Sequence, residues 1–569
     1  MDAAWVVLGR TPGGVAAVVL DAEGARIERV ALTHAELPEW IAATEREAGP
    51  RWVWNDAPAW YPGLLGRGIR LSRCHDLRLC HVILRASALV AADAEVRAPS
   101  RWDAPGTAAP QAPALFDLDP HDDDRLPEDV DDVLAEFDRQ RAAVAGASDP
   151  ARMRLLVAAE SAGALIAAEL QAAGLPWSSA VHDRILIDTL GSRPAAGGVP
   201  ATMDAAARRV REALGDPGVS LDSPPKLLRA LHRVGVQVES TSRWELAQHE
   251  HPVIEPLLEY KKLSRLLSAN GWAWLAEWVQ DERFRPVYVP GGVVTGRWAS
   301  SGGGALQIPR QLRAAVRSDP GWRLVVADVA QLEPRVLAAM SRDMALADAA
   351  RGRDLYAGIV ETKAVDTRAE AKIAMLGAMY GATTGDSGRL VPRLRRAFPR
   401  AMGLVDDAAR VGEDGGIVST WLGRTSPPPS EGWMHAQSRA TEDGVSDGEE
   451  SRARRAARDR GRFTRNFVVQ GTAAEWALAW LADLRRRLAQ MPEVTPDAAA
   501  PRSAVAFARR PHLAFFLHDE IIVHTPAALA DDVAQAARDA AAAATHLLFG
   551  DFPLDFPLDL RIAESAEKD

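Results

Sequence analysis

Two apolar runs far apart in the chain, RLVVAD at 323–328 and LAFFLHDEIIVHT at 513–525, have the make-up of β-strands that carry acids to their ends. The second reads as a tight hairpin with His518, Asp519 and Glu520 in its turn. Taken singly, neither run says much. Strands often end in Asp, and acids in a turn usually face water. If the two strands meet across one sheet, Asp328 and Asp519 can hold two Mg²⁺ about 3.5–4 Å apart. That spacing clamps the attacking and leaving oxygens of an in-line phosphoryl displacement.

Between the two runs, RAEAKIAMLGAMYG places Arg368, Lys372, Leu376 and Tyr380 at steps of four, one slowly drifting stripe of a helix. Arg and Lys one turn apart on an otherwise apolar helix suit a polyphosphate. A solvated face that happens to carry them fits this segment equally well.

The chain's 569 residues exceed one hydrophobic core and suggest about two to four domains. The net charge of −10 counts mildly against a polyanionic partner, but the charge is segregated. Asp122, Asp123, Asp124, Glu128, Asp129, Asp131 and Asp132 gather in one stretch, and arginines from Arg452 to Arg465 in another. A local basic track can bind phosphates whatever the total. Cys74 and Cys80 are the only cysteines, which implies a reducing compartment and no disulfide framework. Each precedes a histidine, but the spacing fits no zinc pattern and ordinary buried thiols are expected. No leader-like start and no run of about 18 apolar residues are visible, so no membrane span is expected.

Residues 1–92 read as a small α/β unit, with WVVLG, VAAVVL and RIERVAL as strands and LPEWIAATEREA as a helix. Residues 93–128 are rich in Pro, Ala and Asp and read as a linker. Helical patterns run from about 129 to 285. They include an amphipathic segment ending at Gly174 and one long helical stretch, HPVIEPLLEYKKLSRLLSANGWAWLAEWV. Strands return after 286.

In order, TGRWAS, DVAQLEPR, R-x3-K-x7-YG, NFVVQGTAAE and HDE resemble the motif series of the family A DNA polymerases, the bacterial DNA polymerase I class. The match in order and spacing runs from about residue 150 onward, with EYKKLSRL resembling the family's thumb segment. The resemblance implies an α+β fold, a right-hand palm, fingers and thumb behind a degenerate RNase H-like α/β domain. Its expected divisions are 1–92 exonuclease-like, 93–150 linker and end of that domain, 151–285 thumb and connecting helices, 286–345 palm, 346–480 fingers and return to palm, and 481–569 palm.

It also implies roles. Asp328 and Asp519, with the Val329 carbonyl, would be ligands of two Mg²⁺, for which Mn²⁺ can substitute. Arg368 and Lys372 would hold the incoming nucleotide's phosphates, and Lys372 would donate a proton to the leaving pyrophosphate. Glu333 matches a steric gate against the ribose 2′-OH. Gln331, Leu376 and Tyr380 would complete the nucleotide site. Arg297, Gln307, Arg462, Asn466 and Gln470 match residues that touch primer–template DNA, with His518 and Glu520 near the primer end. Arg462, Asn466 and Gln470 are spaced one helical turn apart, so one face can reach minor-groove acceptors that all base pairs share.

Departures touch nucleotide selection. Leu376 stands where the family usually has Phe or Tyr, Val329-Ala330 replace a frequent Tyr-Ser, and Gln307-Ile308-Pro309 is one residue short of Gln-Asn-Ile-Pro. In the N-terminal part, Asp21-Ala22-Glu23 is followed by Gly24 and reads as a hairpin turn, and Trp60 falls where an exonuclease motif would place an acid. The expectation is a domain without proofreading, and no segment that houses a 5′-nuclease. Implied partners are primer–template DNA and deoxynucleoside triphosphates. A monomer in the cytoplasm, at the nucleoid, is expected. Competing readings are a single-subunit RNA polymerase, a 3′–5′ exonuclease and a non-catalytic DNA-binding scaffold.

Overall fold

The computed structural model describes residues 3–106, 125–194, 198–304, 308–382, 385–440 and 446–567. Asp122, Asp123 and Asp124 lie outside them. The fold is α+β, in two compact units. One comprises Met1–Gly174, Val287–Ser301 and Pro320–Ala563, the other Leu175–Pro286, Gly302–Asp319 and Glu564–Asp569.

The larger unit begins with a five-stranded sheet: β1 (Trp5–Thr11), β2 (Gly14–Leu20), β3 (Arg26–Leu32), β4 (Arg51–Trp54) and β5 (Arg73–Asp76). Its order is β3-β2-β1-β4-β5, antiparallel through β3, β2 and β1 and parallel through β1, β4 and β5. Alternate residues of one strand feed two cores. Val6 and Leu8 pack on the face covered by α1 (Leu37–Glu47) and α2 (Ala57–Leu65). Val7 packs on the other face with Phe137 of α4 (Val130–Ala145), while α3 (Leu77–Ala86) follows β5. β2 is buried at every position, as a strand covered on both sides must be.

α5 (Pro150–Ala173) corrects the expectation that no segment is apolar enough to span a bilayer, since by length and composition it could. It is instead a core helix. Most of it is buried, and it carries Glu160 and Glu169 inward, each ion-paired to arginine. It is therefore buried on several faces and lacks the single apolar stripe its sequence suggested.

The second unit is helical, built on α6 (Ser179–Leu190), α7 (Ala201–Leu214) and α8 (Ile254–Asn270). The single long helix expected here breaks after Asn270. Gly271 approaches its own preceding turn so closely that a Cβ there would stand 2.2 Å from the Leu267 carbonyl oxygen, and a new helix starts at Trp272.

The larger unit resumes with β6 (Trp322–Val329) and the helices α9 (Leu332–Ser341), α10 (Leu355–Glu361), α11 (Arg368–Tyr380) and α12 (Pro399–Glu413). The 43-residue α13 (Asp447–Ala489) follows. The hairpin β7 (His512–Leu517) and β8 (Glu520–Pro526), the helix α14 (Ala530–Phe549) and β9 (Leu558–Ala563) complete it. The second sheet has the order β7-β8-β6-β9, with β6 antiparallel to both neighbours. Glu520, read from sequence as part of the turn, is the first residue of β8. The loop holds only His518 and Asp519.

Candidate active site

The strand β6 is apolar because it is central, and its burial fixes its register. That register sets Asp328 opposite Glu520 on β8 and opposite Asp559 on β9. Residues paired directly across a sheet share a face, so three acids on three adjacent strands line one side of it. Asp519 joins them from the hairpin loop. His518 takes the left-handed φ of 55° that the first position of a two-residue loop requires. The Val329 N–H donates to the Asp519 carbonyl at 2.9 Å, tying the two acid-bearing segments together by backbone.

The electrostatics are those of like charges brought together. Burial, and then the Asp328 carboxylate, push Asp519 up to about 6, against the pull of Arg297. Burial and Arg297 together push His518 below its ordinary value. The donors on offer are carboxylates and a backbone carbonyl, all hard oxygens. A carboxylate whose ionisation is opposed by its neighbour is relieved by a divalent cation, so the residues present fit Mg²⁺.

Beside the acids lies a pocket of about 270 Å³, walled by Arg297, Glu333, Leu376, Tyr380, His518 and Asp519, with Gln331 also in its lining. Arg297 is ion-paired to Glu333, whose other oxygen accepts from the Tyr380 hydroxyl at 2.5 Å. Glu333 is thereby held between α9's first turn and the end of α11. Burial and Glu333 push the Tyr380 hydroxyl's pKa upward, keeping it a donor. Leu376 is half-buried one turn before Tyr380.

A capping box fixes where α11 begins. The Thr367 hydroxyl accepts from the Glu370 N–H at 3.1 Å while the Glu370 carboxylate accepts from the Thr367 N–H at 3.2 Å. Arg368 and Lys372 therefore project from the helix's first two turns, where the peptide dipole also favours anions. Both are exposed. Arg368 is engaged by Asp354, at 2.8 and 3.2 Å, and lies over the Tyr356 ring at 5.5 Å. Gln331, in left-handed conformation with φ 50°, donates to the same Asp354 at 3.0 Å.

Sequence reasoning missed Asp354, Tyr356 and Asp559. The signal for Asp354 was its place before an apolar helix, which it caps by accepting from the Ala357 N–H at 2.8 Å.

Along α13, Arg462, Asn466 and Gln470 occupy one helical face. Arg462 is exposed and ion-paired to Asp459. It packs over Gly381, whose φ of 74° and lack of a Cβ allow the approach. Asn466 is half-buried. Gln470 accepts from the Thr295 hydroxyl at 3.0 Å, which links it to the segment bearing Arg297. Gln307 lies outside the described residues.

In the N-terminal sheet, Asp21 accepts from the Ala25 N–H at 2.7 Å and closes the turn that Glu23 and Gly24 complete. Trp60 is buried and donates to the Asn55 side chain at 2.8 Å. At the carboxyl end of β1 stands Arg10, 5.3 Å over the Trp60 ring and 2.9 Å from Glu128. Two buried acids sit at neighbouring strand ends. Asp56 pairs with Arg78 at 3.1 Å. Asp76 accepts from the N–H groups of Ala57 at 2.8 Å and Leu79 at 3.0 Å, and burial and Asp56 push it up to about 7. Cys74 and Cys80 are buried free thiols whose pKa values burial raises.

The family model for DNA polymerase family A matches residues 201–566. DNA polymerase I of Chloroflexus aurantiacus is 30% identical over 339 residues, which are 55% of this chain and 32% of that protein. The thermostable DNA polymerase I of Thermus aquaticus is 25% identical over 358 residues, 58% of this chain and 38% of that protein. This chain thus spans well under half the length of these relatives. Among solved structures, the POL domain of Pol1 from M. smegmatis, in complex with DNA primer-template and dNTP, superposes with a TM-score of 0.68. It covers 99% of this chain and 95% of that one at 18% identity. That likeness is one of fold.

Proposed function

Because this chain belongs to DNA polymerase family A, we propose that it is a template-directed DNA polymerase that joins deoxynucleotides to a primer 3′-OH. The observation that carries this reading is the register of β6 and β8, which sets Asp328 opposite Glu520, beside the hairpin loop that presents Asp519 to the pocket. Asp328, Asp519 and the Val329 carbonyl would hold two Mg²⁺, with Mn²⁺ able to substitute. When bound, the metal lowers the pKa of the primer hydroxyl and offsets charge at the reacting phosphate.

This chain's own residues do the positioning. Arg368 exchanges Asp354 for the incoming triphosphate. Lys372 stands one turn further along to neutralise the departing pyrophosphate and to give it a proton. Glu333, braced by Arg297 and Tyr380, crowds the sugar's 2′ position and so favours deoxynucleotides. Gln331 and Leu376 complete the nucleotide's surroundings. Tyr380 packs beside the nascent base pair. Arg297, Gln307, Arg462, Asn466 and Gln470 touch the primer–template duplex, with His518 and Glu520 near the primer end.

The N-terminal sheet is a scaffold in this reading, with no proofreading chemistry. Arg10 stacked on Trp60 supports it, since a cation at the end of β1 repels metal ions. So do Asp56 and Asp76, which are committed to Arg78 and to backbone caps. The enzyme acts as a monomer on DNA in the cytoplasm, in repair or replication.

Primer extension with Mg²⁺ and four deoxynucleotides, wild type beside Asp519→Ala, tests the assignment. Extension should fall by at least about a thousandfold in the variant. A wild-type protein that extends ribonucleotides and ignores deoxynucleotides would move the reading to an RNA polymerase. A 3′-mismatched primer should persist. Its removal by both proteins would restore a nuclease to the N-terminal sheet.

A further inference from the structure

The N-terminal sheet has a second end, away from Arg10 and Trp60. Trp5, Arg51 and Arg73 are the first residues of β1, β4 and β5, and beside these amino ends opens a recess of about 790 Å³. One wall of it is aromatic, formed by Trp5, His75 and Phe137. Trp5 stands 5.0 Å from the Phe137 ring and 6.3 Å edge-on from His75. His75 and Gln140, both nine-tenths buried, meet at 2.8 Å between Nε2 and Oε1. Gln140 Nε2 donates in turn to the Leu77 carbonyl at 2.8 Å and to Glu136 at 2.7 Å, so this polar wall is fixed.

Around the recess stand Arg51, Arg73 and Arg154. Arg51 donates to the Cys74 carbonyl at 3.2 Å and lies 5.5 Å over the Trp5 ring, and Arg73 donates to the Gly49 carbonyl at 2.8 Å. Among the described residues none of the three makes an ion pair. The recess's one carboxylate, Asp138, is 3.7 Å from Arg141. Burial and the neighbouring Arg73 push Arg51 below its ordinary pKa, the mark of a guanidinium lacking an anion.

We propose that this recess binds a free mononucleotide, its phosphate taken by Arg51, Arg73 and Arg154 and its base laid against Trp5. Guanidinium groups lining one opening are suited to a phosphate dianion. The volume lies in the range of small-ligand pockets, about 300–1,000 Å³, and far exceeds a bare phosphate. The site shares no residue with the pocket around Asp519.

Calorimetric titration of the full chain in EDTA, with AMP, adenosine and inorganic phosphate, tests it. AMP should bind saturably and more tightly than either fragment. The exposed pair Arg73→Ala/Arg154→Ala, which leaves the core untouched, should weaken AMP by about tenfold or more. Arg368→Ala should leave that binding unchanged, which separates this site from the triphosphate-holding helix. Absence of saturable AMP binding, equal affinity in the double variant, or loss in Arg368→Ala would each overturn the proposal.

Discussion

The sheet of β1–β5 and the sheet of β6–β9 both collect ionisable side chains where strands end, and they differ in how those side chains are tied down. In the first, even the buried pair Asp56 and Asp76, whose crowding helps push Asp76 up to about 7, is fixed by named partners. Asp76 caps backbone N–H groups, Asp56 meets Arg78, and Arg10 lies between Glu128 and Trp60. Behind this sheet, burial works against the Glu169 carboxylate, but Arg485 and Arg70 hold it well below the usual range. In the second sheet, register sets Asp328 against Glu520 and Asp559, and Asp519 is pushed upward. Like charge is crowded in both sheets; what differs is that the first sheet's acids are held by backbone caps and Arg78, while Asp519 opens onto a pocket. An acidic cluster alone would not distinguish the two; the pocket beside Asp519 does.

Cutting the matched network should give the largest change in stability. Arg485 donates to both oxygens of Glu169, at 2.6 and 3.0 Å, and to the Ser72 carbonyl at 2.9 Å, joining α13 to the N-terminal sheet. Arg485→Met should lose about 3–5 kcal/mol in urea unfolding, because it strands a buried carboxylate. A loss below about 1 kcal/mol would mean that Arg70 alone suffices.

Relieving the crowded acids should act in the opposite direction. In EDTA, Asp519→Asn should stabilise the protein by roughly 1–3 kcal/mol at neutral pH while abolishing extension. The sign follows from a folded pKa of about 6 against an ordinary 3.8. The folded protein binds the extra proton, so stability is lost as pH rises through that window and then stays lost. Below about pH 4 wild type and variant should coincide. Thermal melts across pH check this, and a destabilised variant at pH 7 would break the contrast.

The smallest effect belongs to Arg10→Ala. Its side chain and that of Glu128 are 41% and 50% exposed, so unfolding should shift by less than about 1 kcal/mol. A larger loss would make Arg10 a keystone of the sheet.

Much of this was legible in the chain. The β6 strand and the β7–β8 hairpin announce themselves because apolar runs bounded by a polar turn have few other solutions. Arg297, Glu333, Leu376, Tyr380, His518 and Asp519, chosen from separate motifs, line one pocket. What stayed hidden depends on contacts between distant segments. β4 and β5 have four residues each and are strands only because β4 lies beside β1 and β5 beside β4. Asp354 looks like a cap until Arg368 and Gln331 meet it, and Gly271 ends a helix at a close approach that only a residue without a Cβ allows and no periodicity shows. Glu160 and Glu169 reside in a segment apolar enough to mislead, because their arginine partners lie hundreds of residues away.

The strand order of the second sheet also sets a timetable. Both neighbours of β6 come from beyond residue 511, after the whole of α9–α13. During synthesis β1–β5 can close early, from strands near one another in the chain. β6 must wait as an apolar ribbon with both edges bare until the ribosome has made residue 563. Such delayed pairing slows folding and invites aggregation. It also means that β1–β5 can pair in a nascent or truncated chain before the sheet that carries Asp328 is complete.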